Sequence, residues 1–317
     1  MSKTMTAREC TIAALTLKQP DAVPHFELEM QLTEEYFKKR YSSPDDWSAA
    51  LDSTTKTKLL SHDARLLLET AEYFDYGIIF YSGIHRPTFE DYREGLRMLA
   101  ELSGGRHLLM AHGEVTPGIP NGNNMDEIIC DMLMNPEIVK EEGIRNVATM
   151  VERVSQLKMV GLEGIIECAD YCFNSGPYLS PAMFSDLITP TLTALNRELR
   201  RMNLYSIKHT DGNIMPILND LIESGPHAIH SLDPMAGVDI KTIKKIAGAK
   251  VCIIGNVNCA LMQTGTDAEV LNSCAYAMEN GKTGGGYIFS TSNVIFKGMP
   301  RARYDLMLKY YKSHCAY

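Results

Sequence analysis

The sequence lacks the features that mark several large classes of protein. No apolar stretch approaches the roughly 18 residues that a membrane-spanning helix needs, and residues 1–5 do not have the apolar segment of a signal peptide. No run of lysine and arginine occurs, and 31 basic against 39 acidic residues give a formal net charge of −8, which argues against a nucleic-acid surface. The eight cysteines are scattered without a Cys-x-x-Cys pair, which is typical of reduced thiols. The sequence therefore predicts a cytoplasmic protein that works without a membrane or nucleic acid.

What the sequence does contain is an alternation of short apolar runs with longer segments of helical period, which is typical of βα units built around a parallel sheet. Thr6 followed by Glu9 has the spacing of a capping box and predicts an opening helix. With 317 residues and no low-complexity linker, the chain is predicted to form a single (β/α)8 TIM barrel over 1–317, with an N-terminal helix. A doubly wound open sheet is the alternative. The eight predicted strands are 22–28, 76–81, 107–112, 164–167, 204–208, 228–232, 250–255 and 286–290.

Polar residues cluster where the predicted strands end, and this is where a (β/α)8 barrel carries its active site. The most informative stretches are 208–213 (KHTDGN) and 255–258 (GNVN). Because alternate residues of a strand share a face, His209 and Asp211 are expected to converge. Acids, imidazoles and amides in such positions suit general acid–base chemistry or a metal site. The candidates at the strand ends are Glu27, Glu29, Tyr81, His112, Glu167, Asp170, His209, Asp211, Asn256 and Ser292.

Structural roles compete with functional ones at several of these positions. Asp211 precedes a glycine, and aspartate in such a turn often only accepts hydrogen bonds from backbone amides. His112 also fits a core histidine, and Asn256 fits a loop cap. The glycine run at 284–286 precedes a predicted strand, whereas a dinucleotide fingerprint follows one, so no phosphate-binding loop is indicated.

Several stretches, in the same order, are similar to the uroporphyrinogen decarboxylase superfamily, whose members include corrinoid-linked methyltransferases. The resemblance implies a single barrel and extends over nearly the whole chain. The segments that carry it are 19–24 (QPDAVP), 175–181 (SGPYLSP), 209–213 (HTDGN), 255–257 (GNV), 284–288 (GGGYI) and 292–293 (SN).

Two departures from that family restrict the predicted activity. Uroporphyrinogen decarboxylases carry Met-Arg-Gln-Ala-Gly-Arg after the first strand to hold the porphyrinogen carboxylates, whereas 25–30 here reads HFELEM, whose two glutamates would repel a polyanion. The methyltransferases that act on coenzyme M bind zinc through His-x-Cys and a later cysteine. His209 matches their histidine, but Asp211 stands at the cysteine, and 290–293 has no thiol. The chain thus resembles the methyltransferase branch more than the true decarboxylases, without its thiolate site.

The resemblance implies a metal-assisted methyltransferase that moves a methyl group from a small methylated, possibly methoxylated, substrate to or from a corrinoid protein. A corrinoid supplied by a partner protein is expected because no Asp-x-His-x-x-Gly motif is present. A metal-free decarboxylase or lyase acting on another acid, or a non-catalytic binding protein, is the alternative. The expected zinc ligands are His209, Asp211 and Glu167; the expected catalytic residues are Asp170, Glu167 and Asp211; and the expected substrate contacts are Glu27, Glu29, Tyr81, His112, Asn256 and Ser292.

Overall fold

The computed structural model describes residues 4–50, 52–82, 88–120 and 125–317. Nine strands occur in this part of the chain, and seven of them form one curled sheet in the order β1-β2-β3-β6-β7-β8-β9. Every neighbouring pair in that sheet is parallel, and β4 and β5 form a separate antiparallel pair. The strands are β1 (Ile78–Tyr81), β2 (Leu108–Gly113), β3 (Gly164–Cys168), β4 (Cys172–Phe173), β5 (Gly176–Pro177), β6 (Tyr205–Thr210), β7 (Ala228–Ser231), β8 (Cys252–Ile254) and β9 (Tyr287–Ile288).

Fourteen α-helices connect or flank these strands in the described ranges. None of them is long and apolar enough to cross a membrane. Helix α1 begins after Thr6, whose side chain and that of Glu9 form the predicted capping box. The helices are α1 (Ala7–Leu15), α2 (Thr33–Phe37), α3 (Pro44–Ala49), α4 (Ser53–Phe74), α5 (Phe89–Ser103), α6 (Met125–Met134), α7 (Pro136–Lys158), α8 (Pro181–Leu187), α9 (Thr189–Arg201), α10 (Leu218–Glu223), α11 (Ile240–Ala247), α12 (Cys259–Thr264), α13 (Asp267–Lys282) and α14 (Arg301–His314).

The first of the eight predicted strands, 22–28, does not form a hydrogen-bonded ladder. His25 makes only isolated parallel bridges, to Tyr76 at one edge of the sheet and to Phe289 at the other. Pro24 precedes it and has no N–H to donate, which disfavours a ladder at this point. The other seven predicted strands are confirmed to within two residues at either end. The prediction of a closed eight-stranded barrel is therefore confirmed only as a TIM-like, curled seven-stranded parallel sheet, which the described residues do not close.

Side chains of the sheet alternate between an inner core and an outer core that lies beneath the helices. On β3, Ile166 belongs to the inner core and Ile165 to the outer core, so the alternation places Glu167 outward and Cys168 inward. On β6, Ile207 lies inward and His209 shares its face. The inner core comprises Ala14, Leu15, Phe26, Leu28, Ile78, Leu108, Met110, Ile166, Ile207, Ala228, Cys252, Ile254 and Ile288. This alternation decides which strand-end residues meet at the mouth of the sheet.

Candidate functional site

Two neighbouring strands bring together an imidazole and two carboxylates. Asp170 follows β3, His209 lies near the end of β6, and Asp211 follows it, with Cys168 paired to His209 in the parallel register. One ligand atom from each of these three residues lies within 4.8 Å of the other two. Asp170 accepts a hydrogen bond from the Asp211 N–H at 2.9 Å, and His209 Nε2 lies 3.9 Å from Asp211 Oδ1. We call Asp170, His209 and Asp211 the triad.

The turn after Asp211 requires a glycine. Gly212 has φ +81°, and a Cβ at this position would lie 2.2 Å from the carbonyl oxygen of Cys172. Only a residue without a side chain permits this approach of the β4–β5 pair to the turn. The Asp-Gly pair lies at a bend that sets Asp211 in the triad, and the Asp211 carboxylate accepts from the side chains of Ser231 and Asn293, so its role is not only that of a turn-forming aspartate.

Asp211 lies in an environment that favours its protonated form or a nearby cation. The Ser231 hydroxyl donates to Oδ1 at 2.5 Å, and the Asn293 side-chain amide donates to Oδ2. Burial raises the pKa of Asp211 to about 7, and the negative charges of Asp170 and Asp233 act in the same direction. The hydrogen bonds from Ser231 and Asn293 lower this pKa but do not offset the rise. Ser231 has φ 97°, a strained conformation of the kind found at functional sites. The site therefore concentrates negative charge that it does not itself balance.

His209 is held as a neutral imidazole. Its Nδ1 lies 2.8 Å from Nδ1 of His230, and both rings are buried. Burial lowers the pKa of His209 to about 4, and the charge of Lys208 acts in the same direction while Asp170 opposes it. Burial likewise lowers the pKa of His230 well below its usual value. A neutral imidazole has a lone pair, which suits a metal ligand or a proton acceptor.

Glu167 does not join the triad, although we predicted it as both a metal ligand and a catalytic acid. It pairs in register with Lys208, whereas Cys168 pairs with His209, so its side chain projects from the opposite face of the sheet. The Lys208 ammonium donates to Glu114 at 2.8 Å, and neither oxygen of Glu167 has a hydrogen-bond partner among the described residues. Burial raises the pKa of Glu167 to about 8, so it is largely protonated at neutral pH. A metal bound by Glu167 together with His209 does not fit this geometry.

A cavity of about 450 Å³ lies beside β1, along the edge that the 22–28 segment fails to pair. Three predicted substrate contacts line it, namely Glu27, Glu29 and Tyr81. Lys297 and Arg40 add positive charge at its wall. None of the triad residues lines this cavity, so the sequence-predicted site divides between two neighbouring places.

The remaining predicted substrate contacts lie nearer the mouth of the sheet. His112 has an exposed side chain on the inner face of β2. Asn256 is buried and donates its side-chain amide to the Leu232 carbonyl at 2.8 Å, so it supports the loop after β7. Ser292 is buried, and its carbonyl oxygen lies 2.7 Å from the Ser231 hydroxyl. Their geometry is compatible with substrate contact at His112 and with structural support at the other two.

Sequence reasoning did not select three residues that contact the triad: His230, Ser231 and Asn293. His230 lies directly across from His209 in the register of β6 and β7. The strand positions were visible in the sequence, but the register between strands was not. Asn293 was visible at a strand end, yet its pairing with Asp211 spans 82 residues of sequence.

The family comparison adds to this geometry. The model of the family described as Uroporphyrinogen decarboxylase (URO-D) matches residues 122–314, which is more than half of the chain. The chain belongs to the uroporphyrinogen decarboxylase family. The matched region contains the whole triad, whereas Glu27 and Glu29, where decarboxylases carry arginines, lie outside it. A comparison with curated proteins gives no match.

One solved structure supports the fold of this family member. A methyltransferase from Methanosarcina mazei is similar at a TM-score of 0.75 and 13% identity, over 98% of this chain and 99% of that one. An α-amylase from Geobacillus thermoleovorans has a TM-score of 0.46 at 7% identity, over 80% and 72% of the two chains. Dihydrodipicolinate synthase from Aquifex aeolicus has a TM-score of 0.42 at 13% identity, over 78% and 72%. The TM-scores of the last two are below 0.5, so only the first likeness is informative, and at 13% identity it concerns the fold alone.

Proposed function

We propose that this member of the uroporphyrinogen decarboxylase family is a metal-assisted methyltransferase that moves a methyl group between a small methylated substrate and a corrinoid held by a partner protein. The observation that carries the proposal is the gathering of Asp170, His209 and Asp211 at adjacent strand ends. The fold likeness to a methyltransferase is compatible with it.

The donor set fits a zinc ion. Zinc accepts imidazole nitrogen and carboxylate oxygen, and three protein ligands leave a fourth position open for substrate. The raised pKa of Asp211 reflects, after burial, the charges of Asp170 and Asp233, and a bound cation would relieve that repulsion. Three oxygen and nitrogen ligands, without thiolate, would leave the ion more electrophilic than a cysteine site. When bound, it would supply a Lewis acid for an ether or alcohol oxygen.

The chain's own residues would hold the substrate. Asp170 is exposed at the mouth and accepts the Asp211 N–H through Oδ1. As the third zinc ligand it would not also donate a proton, so the departing oxygen would take its proton from solvent at the mouth and not, as we expected, from Asp170 or Glu167. Glu27, Glu29 and Tyr81, which line the cavity, would contact the substrate body. The buried position of His209 keeps water away from its ring. Glu167 has no part in this assignment.

A corrinoid partner would dock over the mouth of the sheet. Phe173 and Met235 are large apolar side chains that are 42% and 55% exposed there. Phe173 accepts a backbone hydrogen bond from Asn213, two residues after Asp211, and Met235 follows the turn at Asp233. Apolar side chains at the rim of a polar site are suited to contact with a partner that excludes water.

The test combines metal analysis with a spectrum. Anaerobically purified protein should contain about one zinc ion per chain, and His209→Ala should lose it. Added to a Co(I) corrinoid protein and a panel of methylated donors, the wild type should produce the methyl-Co(III) spectrum and His209→Ala should not. His227→Ala is the matched control, since it removes a partly buried imidazole at the opposite end of β7.

Two outcomes would reject the proposal. If neither wild type nor His209→Ala holds metal after growth with ample zinc, the triad is not a zinc site. If His209→Ala changes neither metal content nor methyl transfer, His209 is not part of it. Turnover of an acid substrate that survives exhaustive chelation would instead favour a metal-free decarboxylase or lyase, the alternative in which Asp211 or Asp170 stabilises a cationic intermediate.

A further inference from the structure

A series of contacts between buried polar side chains connects the triad to the cavity beside β1. His209 Nδ1 lies 2.8 Å from His230 Nδ1, and His230 Nε2 lies 3.5 Å from Ser290 Oγ. Ser290 Oγ in turn lies 3.3 Å from Glu27 Oε2, and Glu27 lines the cavity. Ser290, His230 and Glu27 are between 0% and 3% exposed. This series of contacts therefore connects the triad with the cavity, which have no residue in common.

The direction of these hydrogen bonds follows from the Glu27 end. The Thr291 N–H contacts both Glu27 oxygens at 3.2 Å, and the Thr291 hydroxyl donates to Oε2 at 2.5 Å. Oε2, the oxygen that faces Ser290, receives both the N–H and the hydroxyl of Thr291, so it acts as an acceptor and Ser290 donates to it. The other oxygen, Oε1, also contacts His25 Nε2 at 3.3 Å. A hydroxyl that donates its single proton to Glu27 accepts from its other neighbour, and the donor there is His230 Nε2–H.

The same reasoning fixes the two imidazoles. The 2.8 Å contact between the two Nδ1 atoms requires a proton on one of them and a lone pair on the other. His230 is fully buried, and its ring contacts His209 and Ser290 but no carboxylate among the described residues, so it carries a single N–H. Since His230 uses its N–H on Ser290, its Nδ1 accepts, and the proton shared between the two Nδ1 atoms belongs to His209. The Nε2 of His209 then keeps its lone pair on the side of Asp211, 3.9 Å away.

We propose that Glu27, acting through Ser290 and His230, holds His209 in the Nδ1–H tautomer and so keeps its Nε2 lone pair open at the triad. These three are positioning residues, since none of them reaches the triad's open side. The opposite tautomer would point an N–H at Asp211 and close Nε2 to any ligand. Support of this kind, in which a buried carboxylate orients a ligating histidine, is general in metal proteins. The use of Nε2 as a ligand rests on the proposed function, but the tautomer does not.

The tautomer can be measured without substrate or metal. In metal-free protein labelled with ¹⁵N-histidine, long-range ¹H–¹⁵N correlation spectra distinguish a protonated ring nitrogen from an unprotonated one. His209, assigned by loss of its signals in His209→Gln, should show a protonated Nδ1 and an unprotonated Nε2. Ser290→Ala should move both His209 nitrogen resonances toward those of a mixture of tautomers. A wild-type spectrum with a protonated Nε2 would overturn the proposal without any variant.

A matched control guards against a general effect of removing a buried hydroxyl. Ser206 is fully buried, and its Oγ lies 3.3 Å from His227 Nδ1, so Ser206→Ala removes a comparable serine–histidine contact away from the triad. It should leave the His209 resonances unchanged. His209 resonances that stay unchanged in Ser290→Ala as well would also overturn the proposal.

Zinc titration then separates this inference from the proposed function. If the triad binds zinc and Glu27 positions His209 as proposed, Ser290→Ala should bind zinc about 10- to 100-fold more weakly than the wild type. Ser206→Ala should bind zinc as the wild type does. Wild-type protein that shows the Nδ1–H tautomer but binds no zinc would refute the proposed metal site and leave the positioning role intact. Unaltered zinc affinity in Ser290→Ala would overturn the link from Glu27 to the ligand.

Discussion

The unbalanced charge at the triad predicts that Asp211→Asn stabilises the metal-free protein at high pH. The pKa of Asp211 rises from 3.8 to about 7 on folding. A carboxyl with a raised pKa contributes stability that is present below its unfolded pKa and is lost as the pH rises through its folded pKa. The wild type should therefore lose stability between about pH 4 and pH 7, whereas asparagine, which cannot ionise, does not.

The magnitude follows from the size of the shift. At 1.36 kcal/mol per pKa unit, a rise of about three pKa units corresponds to a loss of at most about 4 kcal/mol in the free energy of unfolding. The Asp211 side chain retains 28% exposure, so screening reduces this, and we expect a gain of about 2 kcal/mol. Asparagine preserves the local bonds, because its oxygen can accept from Asn293 and its amide can donate to Ser231, whose hydroxyl proton then serves the Ser292 carbonyl.

The assay is chemical or thermal unfolding with a chelator present, at about pH 8 and at about pH 5. Asp211→Asn should be more stable than the wild type at the higher pH, with most of the gain gone at the lower one. Asp239→Asn is the control of opposite sign. Burial opposes ionisation there, but hydrogen bonds from Tyr276 and Thr242 lower the pKa of Asp239, so its asparagine variant should lose stability at high pH. The reasoning would be refuted if Asp211→Asn were no more stable than the wild type at the higher pH, or if its gain in stability were the same at both pH values.

Three further substitutions test the placement of other groups. Glu114→Gln leaves the buried Lys208 ammonium without its partner and should lower the free energy of unfolding by about 3 kcal/mol, measured by urea titration. Glu167→Gln should cost less than about 1 kcal/mol at neutral pH, because burial already keeps this carboxyl protonated, and should leave zinc content unchanged; zinc loss would restore Glu167 as a ligand. Gly95→Ala would place a Cβ 2.1 Å from the Tyr81 hydroxyl, so it should lower stability by about 1–3 kcal/mol and raise the KM for any substrate held in the cavity.

Most of the strand pattern was predictable from the sequence, because isoleucine-rich runs between helical segments leave few alternatives. The prediction of a strand at 22–28 was only partly right, because the composition of this segment is that of a strand but Pro24 has no N–H to donate. His25 consequently makes single bridges and no ladder. The meeting of His209 with Asp211 was predictable from the period of a strand alone. Asp170 required the register of β3 against β6, and its selection rested on its position at a strand end.

The error over Glu167 has a simple physical origin. A prediction that marks only where a strand ends does not record which face each residue occupies, and a shift of one residue reverses the face. Cys168, not Glu167, shares the face of His209. The same limit hid His230, whose role depends on the register of β6 and β7, and the buried partners of Glu27, which lie more than 260 residues away in sequence.

Membership of the family does not by itself show that this chain decarboxylates a tetrapyrrole, because function depends on the site and not on the fold. The match begins at residue 122, so it excludes the segment where decarboxylases hold porphyrinogen carboxylates with arginines. Here that segment presents Glu27 and Glu29 to a cavity, and Asp170 and Asp211 lie at the neighbouring strand ends. Two like charges about 4 Å apart repel by roughly 4 kcal/mol at the effective dielectric of a protein surface. A ligand with several carboxylates would meet that repulsion repeatedly, whereas a metal ion or a neutral methylated substrate would not. The carboxylates of the triad and of the cavity wall therefore disfavour a ligand with several carboxylates, although Arg40 and Lys297 also line the cavity.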